Sequence, residues 1–173
     1  MLPHHTVERL TKRLLAIEAD AHRRGWDRPP VPLVIVNRRD TTSAKPSLQI
    51  ITLPLQTRSA AARDLPLPDQ LHQLAAALHS RAGHDRSTGS QVLLCAVLYH
   101  DLHATLDELC PSRRLDALDA DGRRYEIVRR QNRPYPTVHR IPVFANGPVP
   151  ATHGGLTDLL AAAGRILTAG STS

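Results

Sequence analysis

The chain has 173 residues, of which 41% are apolar and 22% charged, with a formal net charge of +6. This length is usual for one domain, and the apolar fraction is typical of a globular chain and too high for a disordered one. The longest apolar run, Val92–Tyr99, is far shorter than the ~20 residues that a membrane-spanning helix needs.

We therefore expect one domain over residues 1–173, with a flexible tail at 169–173. The first residues lack a secretory signal pattern, which favours a cytoplasmic protein that has no membrane contact. Only two of the 22 basic residues are lysines, a bias typical of GC-rich coding sequences. Part of the positive charge therefore follows from codon usage. Cys95 and Cys110 lack a Cys-x-x-Cys spacing and are expected to be buried thiols.

The first elements are a helix and two strands. Apolar residues at three- and four-residue spacing predict a helix over Thr6–Arg24, capped by Thr6 and stopped by Gly25. Prolines then exclude further helix and lead into a short buried strand, Leu33–Val36. Leu48–Leu53 predicts a second strand, paired with the first as a hairpin.

The first helix and the strand that follows it resemble the opening of another group of proteins. The stretch Gly25-Trp26-Asp27-Arg28-Pro29-Pro30, followed by an apolar strand, resembles the opening of uncharacterised actinobacterial proteins over residues 1–36. The resemblance implies an actinobacterial source and carries no chemistry.

The remainder of the chain predicts strands between two further helices. In order these are a helix over Pro68–Arg81, a core strand over Gln91–Tyr99, a helical turn over Leu102–Leu109, a hairpin of Arg114–Asp119 with Arg123–Arg130, a strand over Val138–Phe144 and a helix over Gly155–Thr168. Paired strands bunched between helices, without strict alternation, predict the α+β class. We expect a mainly antiparallel sheet of five or six strands flanked by three helices. The element order resembles that of the roadblock and longin scaffolds, in which three strands follow the second helix.

An arginine-rich stretch is the first candidate site. Alternation on the second strand of the hairpin places Arg124 and Arg130 on one face and Arg129 on the other. Arginines on a sheet face bind phosphates, so the stretch is a candidate for binding nucleic acid or another anion; its members are Arg124, Arg129, Arg130, Arg133 and Arg140. The alternative is a solvated face whose arginines pair with Asp116, Asp119 and Asp121. Few aromatic residues are present for base stacking.

A histidine-rich segment is the second candidate. On a helix, His100, His103 and Asp107 would share one face and provide ligands for a divalent ion. A metal-assisted hydrolase with its site at His100, Asp101 and His103 is one hypothesis from this segment. The His-x-x-His spacing matches no established zinc signature. The alternative is a strand end where polar residues leave the core, and we expect no cofactor.

The start of the last helix has two interpretations. Amide groups around Thr152 and the glycines that follow would bind an anion, as helix amino ends do. No Gly-rich nucleotide fingerprint accompanies them. Thr152 is therefore expected to cap the helix, with the glycines allowing a tight turn against the sheet.

The sequence contains no recognised catalytic motif, and we therefore expect a protein that binds a partner without catalysis. The chain has no Gly-x-Ser-x-Gly elbow and no recognised motif that pairs a Cys or Ser nucleophile with a His. The first hypothesis is a non-catalytic binding or adaptor protein that engages a protein partner through a sheet edge or helix face. The alternatives are an electrostatic nucleic-acid or phosphate binder and the metal-assisted hydrolase.

Overall fold

A computed structural model describes residues 1–38, 47–55, 65–81, 90–104, 109–142 and 149–168. Its elements are α1 (His4–Arg23), β1 (Val31–Arg38), β2 (Ser47–Thr52), α2 (Leu67–Arg81), β3 (Ser90–Ala104), β4 (Leu109–Asp119), β5 (Arg124–Arg130), β6 (Thr137–Ile141) and α3 (His153–Thr168). The six strands form one antiparallel sheet in the order β2-β1-β3-β4-β5-β6. The predicted α+β class is confirmed. Four strands follow α2, one more than in the roadblock and longin order.

Each face of the sheet carries helices, which is why β1 and β3 contain continuous apolar runs. Leu33 and Ile35 of β1 pack in the cluster beneath α1, whereas Val34 and Val36 pack beneath α2 and α3. Burying such a side chain contributes ~1.5–3 kcal/mol. Most of the buried apolar side chains of the sheet lie on β1, β3 and β4. Among the described residues, no helix is long and apolar enough to cross a membrane.

Helices α2 and α3 approach each other closely at one glycine. A Cβ on Gly155 would lie 2.5 Å from Leu71 Cβ and 3.1 Å from the Pro68 carbonyl oxygen. A side chain at this position would force the two helices apart. This differs from the predicted tight turn against the sheet, because the close neighbour of Gly155 is α2.

The predicted start of α1 at Thr6 is two residues too late, and the predicted capping role of Thr6 is wrong. The helix begins at His4 with Pro3 preceding it, and no side chain caps it. The Pro3 carbonyl accepts hydrogen bonds from the amides of Thr6 and Val7 at 2.9 and 3.2 Å. Thr6 thus lies inside the first turn, because proline is well suited to opening a helix. Gly25, with a φ of +92°, follows the helix as predicted.

The predicted helical turn over Leu102–Leu109 is also wrong where the structure describes it. β3 continues as a strand to Ala104 and pairs with β4, which begins at Leu109. The backbone hydrogen bonds of this hairpin replace those that a helix would supply. Leu102 and Leu109 are 63% and 67% exposed, so their apolar character did not indicate a buried helix face.

The hairpin between β4 and β5 is confirmed, with a turn that one buried carboxylate organises. Asp119 Oδ1 accepts hydrogen bonds from the amides of Asp121 and Arg123, and Oδ2 accepts one from the Tyr125 hydroxyl at 2.8 Å. Gly122 has a φ of +83°, which glycine adopts without a steric cost. The tail at 169–173 and the predicted strand end at 143–144 lie outside the described residues.

Candidate functional site

A row of nitrogen-bearing side chains crosses the sheet on the face that α1 covers. Arg113 of β4 is the cross-strand partner of His100 on β3 and of Arg129 on β5. Arg113 is 1% exposed and Arg129 6%. Two buried guanidinium groups require a nearby carboxylate, since an unpaired buried charge is costly.

Glu18 of α1 provides that carboxylate and is completely buried. Arg129 donates from Nε to Oε1 at 2.6 Å and from Nη2 to Oε2 at 2.8 Å, a bidentate geometry that is among the strongest in proteins. Arg113 Nη1 lies farther away, 3.6 Å from Oε1. The hydrogen bond to Glu18 raises the pKa of Arg129, whereas burial lowers the pKa of Arg113. The carboxylate of Glu18 therefore interacts mainly with Arg129.

The turn after α1 closes over Arg113. Its Nη2 donates to the Gly25 carbonyl oxygen at 2.6 Å, and its Cζ lies 4.5 Å from the centroid of the Trp26 ring. This stacking is a cation–π contact. Asp27 has a φ of +62°, and it is the one non-glycine residue in the described ranges with a positive φ. This backbone conformation is uncommon outside glycine and is stabilised by surrounding contacts.

His100 is held by the same turn. The Asp27 amide lies 3.0 Å from His100 Nδ1, and the rings of Trp26 and His100 are 5.4 Å apart. Burial, followed by the charge of Arg113, lowers the pKa of His100. The neutral form of the imidazole is therefore favoured. We call Glu18, Trp26, His100, Arg113 and Arg129 the arginine cluster.

A second polar group lies on the opposite face, near the start of α3. Asp116 Oδ2 accepts hydrogen bonds from the Tyr99 hydroxyl at 2.7 Å and the Thr152 hydroxyl at 2.8 Å. Burial, followed by the charge of Asp116, raises the pKa of Tyr99. Thr152 precedes α3 as predicted, and its carbonyl accepts from the Leu156 amide at 3.0 Å. Its hydroxyl ties the helix to the sheet, a structural role.

The five arginines predicted to bind nucleic acid or another anion do not share one surface. Arg129 is paired with Glu18, and Arg124 is buried on the opposite face. Arg130 is half-buried, while Arg133 and Arg140 are exposed. Register places Arg140 opposite Tyr125, on the α1 face. The predicted alternation along β5 is correct, but it separates the arginines onto two faces.

The proposed metal site required a helix that places its ligands on one face, and the structure has a strand at two of these ligands. His100 and His103 belong to the strand β3, and Asp107 lies outside the described residues. His100 instead accepts a hydrogen bond from the Asp27 amide, and Asp101 is exposed. Within the described ranges, no group of three or more His, Cys, Asp or Glu residues is arranged to hold a metal ion.

Strand β6 forms one end of the sheet and, like β2 at the other end, is exposed at all of its residues but one. All of its residues are exposed except Ile141, and it pairs with β5. Beside its start lies an open depression of about 400 Å³, lined by Arg130, Arg133 and Tyr135 among others. Tyr135 is 82% exposed. We call β6 together with this depression the β6 surface.

The sequence analysis missed the arginine cluster except for His100 and Arg129. Glu18 was detectable, since it follows Leu14 by four residues on the stripe that Val7 and Leu14 define, and a carboxylate on an apolar stripe needs a buried partner. Arg113 offered no such signal, because the predicted strand began one residue later. Its pairing with His100 is a long-range register that local pattern does not define.

Comparison with known proteins adds no functional information. No protein-family model, no curated protein and no solved structure matches the chain.

Proposed function

We propose that this protein is a non-catalytic binding protein, and that an extended, acidic segment of a partner protein adds to the sheet along β6. The observation that carries the proposal is the exposure of β6. It is a terminal strand of the sheet that pairs, in the described part of the chain, with β5. An exposed edge presents unpaired backbone amides and carbonyls to which a further strand can bind.

The charge near β6 supports an acidic partner. Arg133 and Arg140 are exposed, and neither side chain has a hydrogen-bond or ion-pair partner among the described residues. His139 lies on the same strand, and the nearest acid on β5, Glu126, pairs with Arg114 at 3.8 Å. The depression beside Tyr135 would accept one side chain of the added strand. Backbone pairing supplies affinity, and this recess supplies selectivity.

Nucleic-acid binding receives less support from the same residues. Arg124 is buried and Arg129 is bound to Glu18, so neither offers its guanidinium to a phosphate. Binding of a single strand depends on several exposed aromatic rings, and Tyr135 is the one large exposed aromatic residue in the described part of the chain. Single-stranded DNA therefore serves as the competing ligand in the test.

The test begins with selection of ten-residue peptides from a display library on the immobilised protein. A selected peptide is then titrated into labelled protein, and the shifted backbone amides are mapped by NMR. We expect the largest shifts at residues 137–141. N-methylation of alternate peptide amides should abolish binding in one register and leave it intact in the other, because one edge of an added strand pairs with the sheet.

Charge-reversal variants test the electrostatic component. Arg133→Glu with Arg140→Glu should weaken binding by about 1–2 kcal/mol, or roughly 5–30-fold. The matched control is Arg9→Glu with Lys12→Glu, which makes the same charge change on the exposed side of α1. Equal weakening by both pairs, shifts confined to another surface, or tighter binding of single-stranded DNA at the same residues would each contradict the proposal.

A further inference from the structure

Strand β2 forms the end of the sheet opposite to β6, and its composition differs from that of an ordinary free edge. In the part of the chain that the structure describes, it pairs with β1. Its sequence, Ser-Leu-Gln-Ile-Ile-Thr, contains no charged residue, no histidine and no proline. Ile50 and Ile51 are 38% and 36% exposed. Proteins usually protect a free edge with charged residues, proline or a bulge, so an uncharged, apolar edge indicates a strand that another strand covers.

The backbone of β2 has one side that faces β1 and one side that faces outward. The Leu53 amide donates to the Pro32 carbonyl oxygen at 2.9 Å, and the register of β2 with β1 continues from there without a shift. Alternate residues of an antiparallel strand direct both of their backbone groups to the same side. Counting back from Leu53, the amides and carbonyls of Leu48, Ile50 and Thr52 therefore point away from the sheet.

The same alternation divides the side chains of β2 between the two faces of the sheet. Ile50 is the cross-strand partner of Ile35, whose side chain lies in the cluster beneath α1. Leu48 and Thr52 therefore lie on the α1 face with Ile50. Ile50 and Thr52 line an open groove of about 330 Å³ together with Ile17 of α1. The α1 face of this edge is thus mainly apolar, and α1 leaves it partly uncovered.

We propose that β2 pairs with β2 of a second copy of this chain in antiparallel orientation, so that the two sheets join into one. Such a dimer has a two-fold axis perpendicular to the sheet, which keeps the α1 faces of both copies on the same side. Cross-strand partners must then come from the same face. An axis at Ile50 places Ile50 opposite the partner's Ile50 and Leu48 opposite the partner's Thr52. This register uses all of the outward backbone groups of Leu48, Ile50 and Thr52.

Charge and symmetry favour a second copy as the occupant of this edge. Two chains that each carry a net charge of +6 repel each other, so a contact between them requires a neutral surface. Strand β2 is neutral, whereas β6 carries His139 and Arg140. At the axis two β-branched side chains meet, a favourable pair on adjacent strands. The partner's Leu48 lies beside Thr52, at the edge of the groove. The interface shares no residue with the β6 surface and does not depend on the function proposed there.

Sedimentation velocity of the full chain over a concentration series measures the self-association. We expect a monomer–dimer equilibrium with a Kd between about 1 μM and 1 mM. Ile50→Lys places like charges directly opposite each other at the axis and should weaken the dimer about tenfold or more. Val138→Lys on β6 is the matched control, because Val138 is 37% exposed and Ile50 38%. It makes the same charge change at the other edge and should leave dimerisation unchanged.

Cysteine cross-linking tests the register. In a hydrogen-bonded antiparallel pair the Cα atoms are about 5.5 Å apart, within the ~4.4–6.8 Å that a disulfide spans. Ile50→Cys protein should therefore form a covalent dimer on oxidation. Ile51→Cys is the matched control, because Ile51 lies opposite the partner's Gln49 in this register and its two copies are too far apart to be bridged. The native Cys95 and Cys110 are buried and should not cross-link.

Each of the following outcomes would overturn the proposed dimer. A wild-type protein that stays monomeric up to about 1 mM does not associate through β2. Unchanged dimerisation of folded Ile50→Lys protein would place the contact elsewhere. Equal weakening by Val138→Lys would indicate head-to-tail pairing of β2 with β6, which builds open chains instead of dimers. Faster cross-linking of Ile51→Cys than of Ile50→Cys would contradict the register. Urea denaturation of each variant establishes that folded proteins are compared.

Discussion

Glu18→Gln is the most informative single substitution for the fold, because it changes a buried charge with almost no change of shape. Glu18 is 0% exposed, and its carboxylate accepts two hydrogen bonds from Arg129 at 2.6 and 2.8 Å. A glutamine keeps one oxygen as an acceptor but turns an NH₂ group toward a guanidinium donor. The variant also leaves the Arg113 and Arg129 charges facing each other without compensation.

The expected cost follows from these contacts. Hydrogen bonds to a charged group contribute ~1.5–3 kcal/mol each, and removing one partner of a buried ion pair costs ~3–5 kcal/mol. We therefore expect Glu18→Gln to lower the free energy of unfolding by about 3–5 kcal/mol, a large fraction of the ~5–15 kcal/mol typical of a domain. Urea denaturation followed by circular dichroism measures the change.

The control is Glu8→Gln on the same helix, where the side chain is 52% exposed. It should change the free energy of unfolding by less than about 0.5 kcal/mol. A loss below about 1 kcal/mol for Glu18→Gln would refute the reasoning, since it would mean that water reaches the carboxylate. Replacing Glu18 and Arg129 together with leucine should recover part of the loss, because no charge then remains buried without its main partner.

Three further predictions concern packing, thiols and pH. Gly155→Ala should lower stability by ~1–3 kcal/mol in urea denaturation through its clash with α2, whereas Gly164→Ala, which has nothing within 4 Å of the new Cβ, should be neutral or stabilising. Cys95 and Cys110 are buried, and burial raises the pKa of Cys95 to about 12, so neither should react with Ellman's reagent until urea unfolds the chain; rapid reaction of the folded protein would contradict this. The fold lowers the pKa of His100, so the unfolded state binds a proton at this residue before the folded state does as the pH falls below about 6.5. The free energy of unfolding of the wild-type protein should therefore decrease more than that of His100→Gln between about pH 7 and pH 5. Parallel slopes for the two proteins would rule out a depressed His100 pKa.

The sequence was most informative where local pattern and packing agree. The apolar stripe of α1, the proline-led entry to β1 and the Asp121-Gly122 turn each have short-range causes, and each was predicted within a few residues. The class and the element order followed from them. The end of β3 could not be predicted in this way, because its last residues are exposed and form a strand only through their pairing with β4.

The candidate sites were predicted less well, for a physical reason. An arginine-rich stretch has the same sequence whether its guanidinium groups face water or a buried carboxylate. Arg129 could be assigned only by knowing that Glu18, 111 residues earlier, lies above it. The juxtaposition of His100 and Arg113 depends on the register of two strands, which neither segment specifies alone.

The same separation has a consequence for synthesis of the protein. Glu18 leaves the ribosome before its partner on β5, which follows more than a hundred residues later. Until then, the charged end of α1 must remain hydrated, while the apolar stripe around Leu10 and Leu14 lacks the strands β4 and β5 that cover it. Docking of α1 is therefore a late event that joins distant parts of the chain, and contacts of such long range slow folding. A nascent chain stalled before β5 should expose this helix to chaperones.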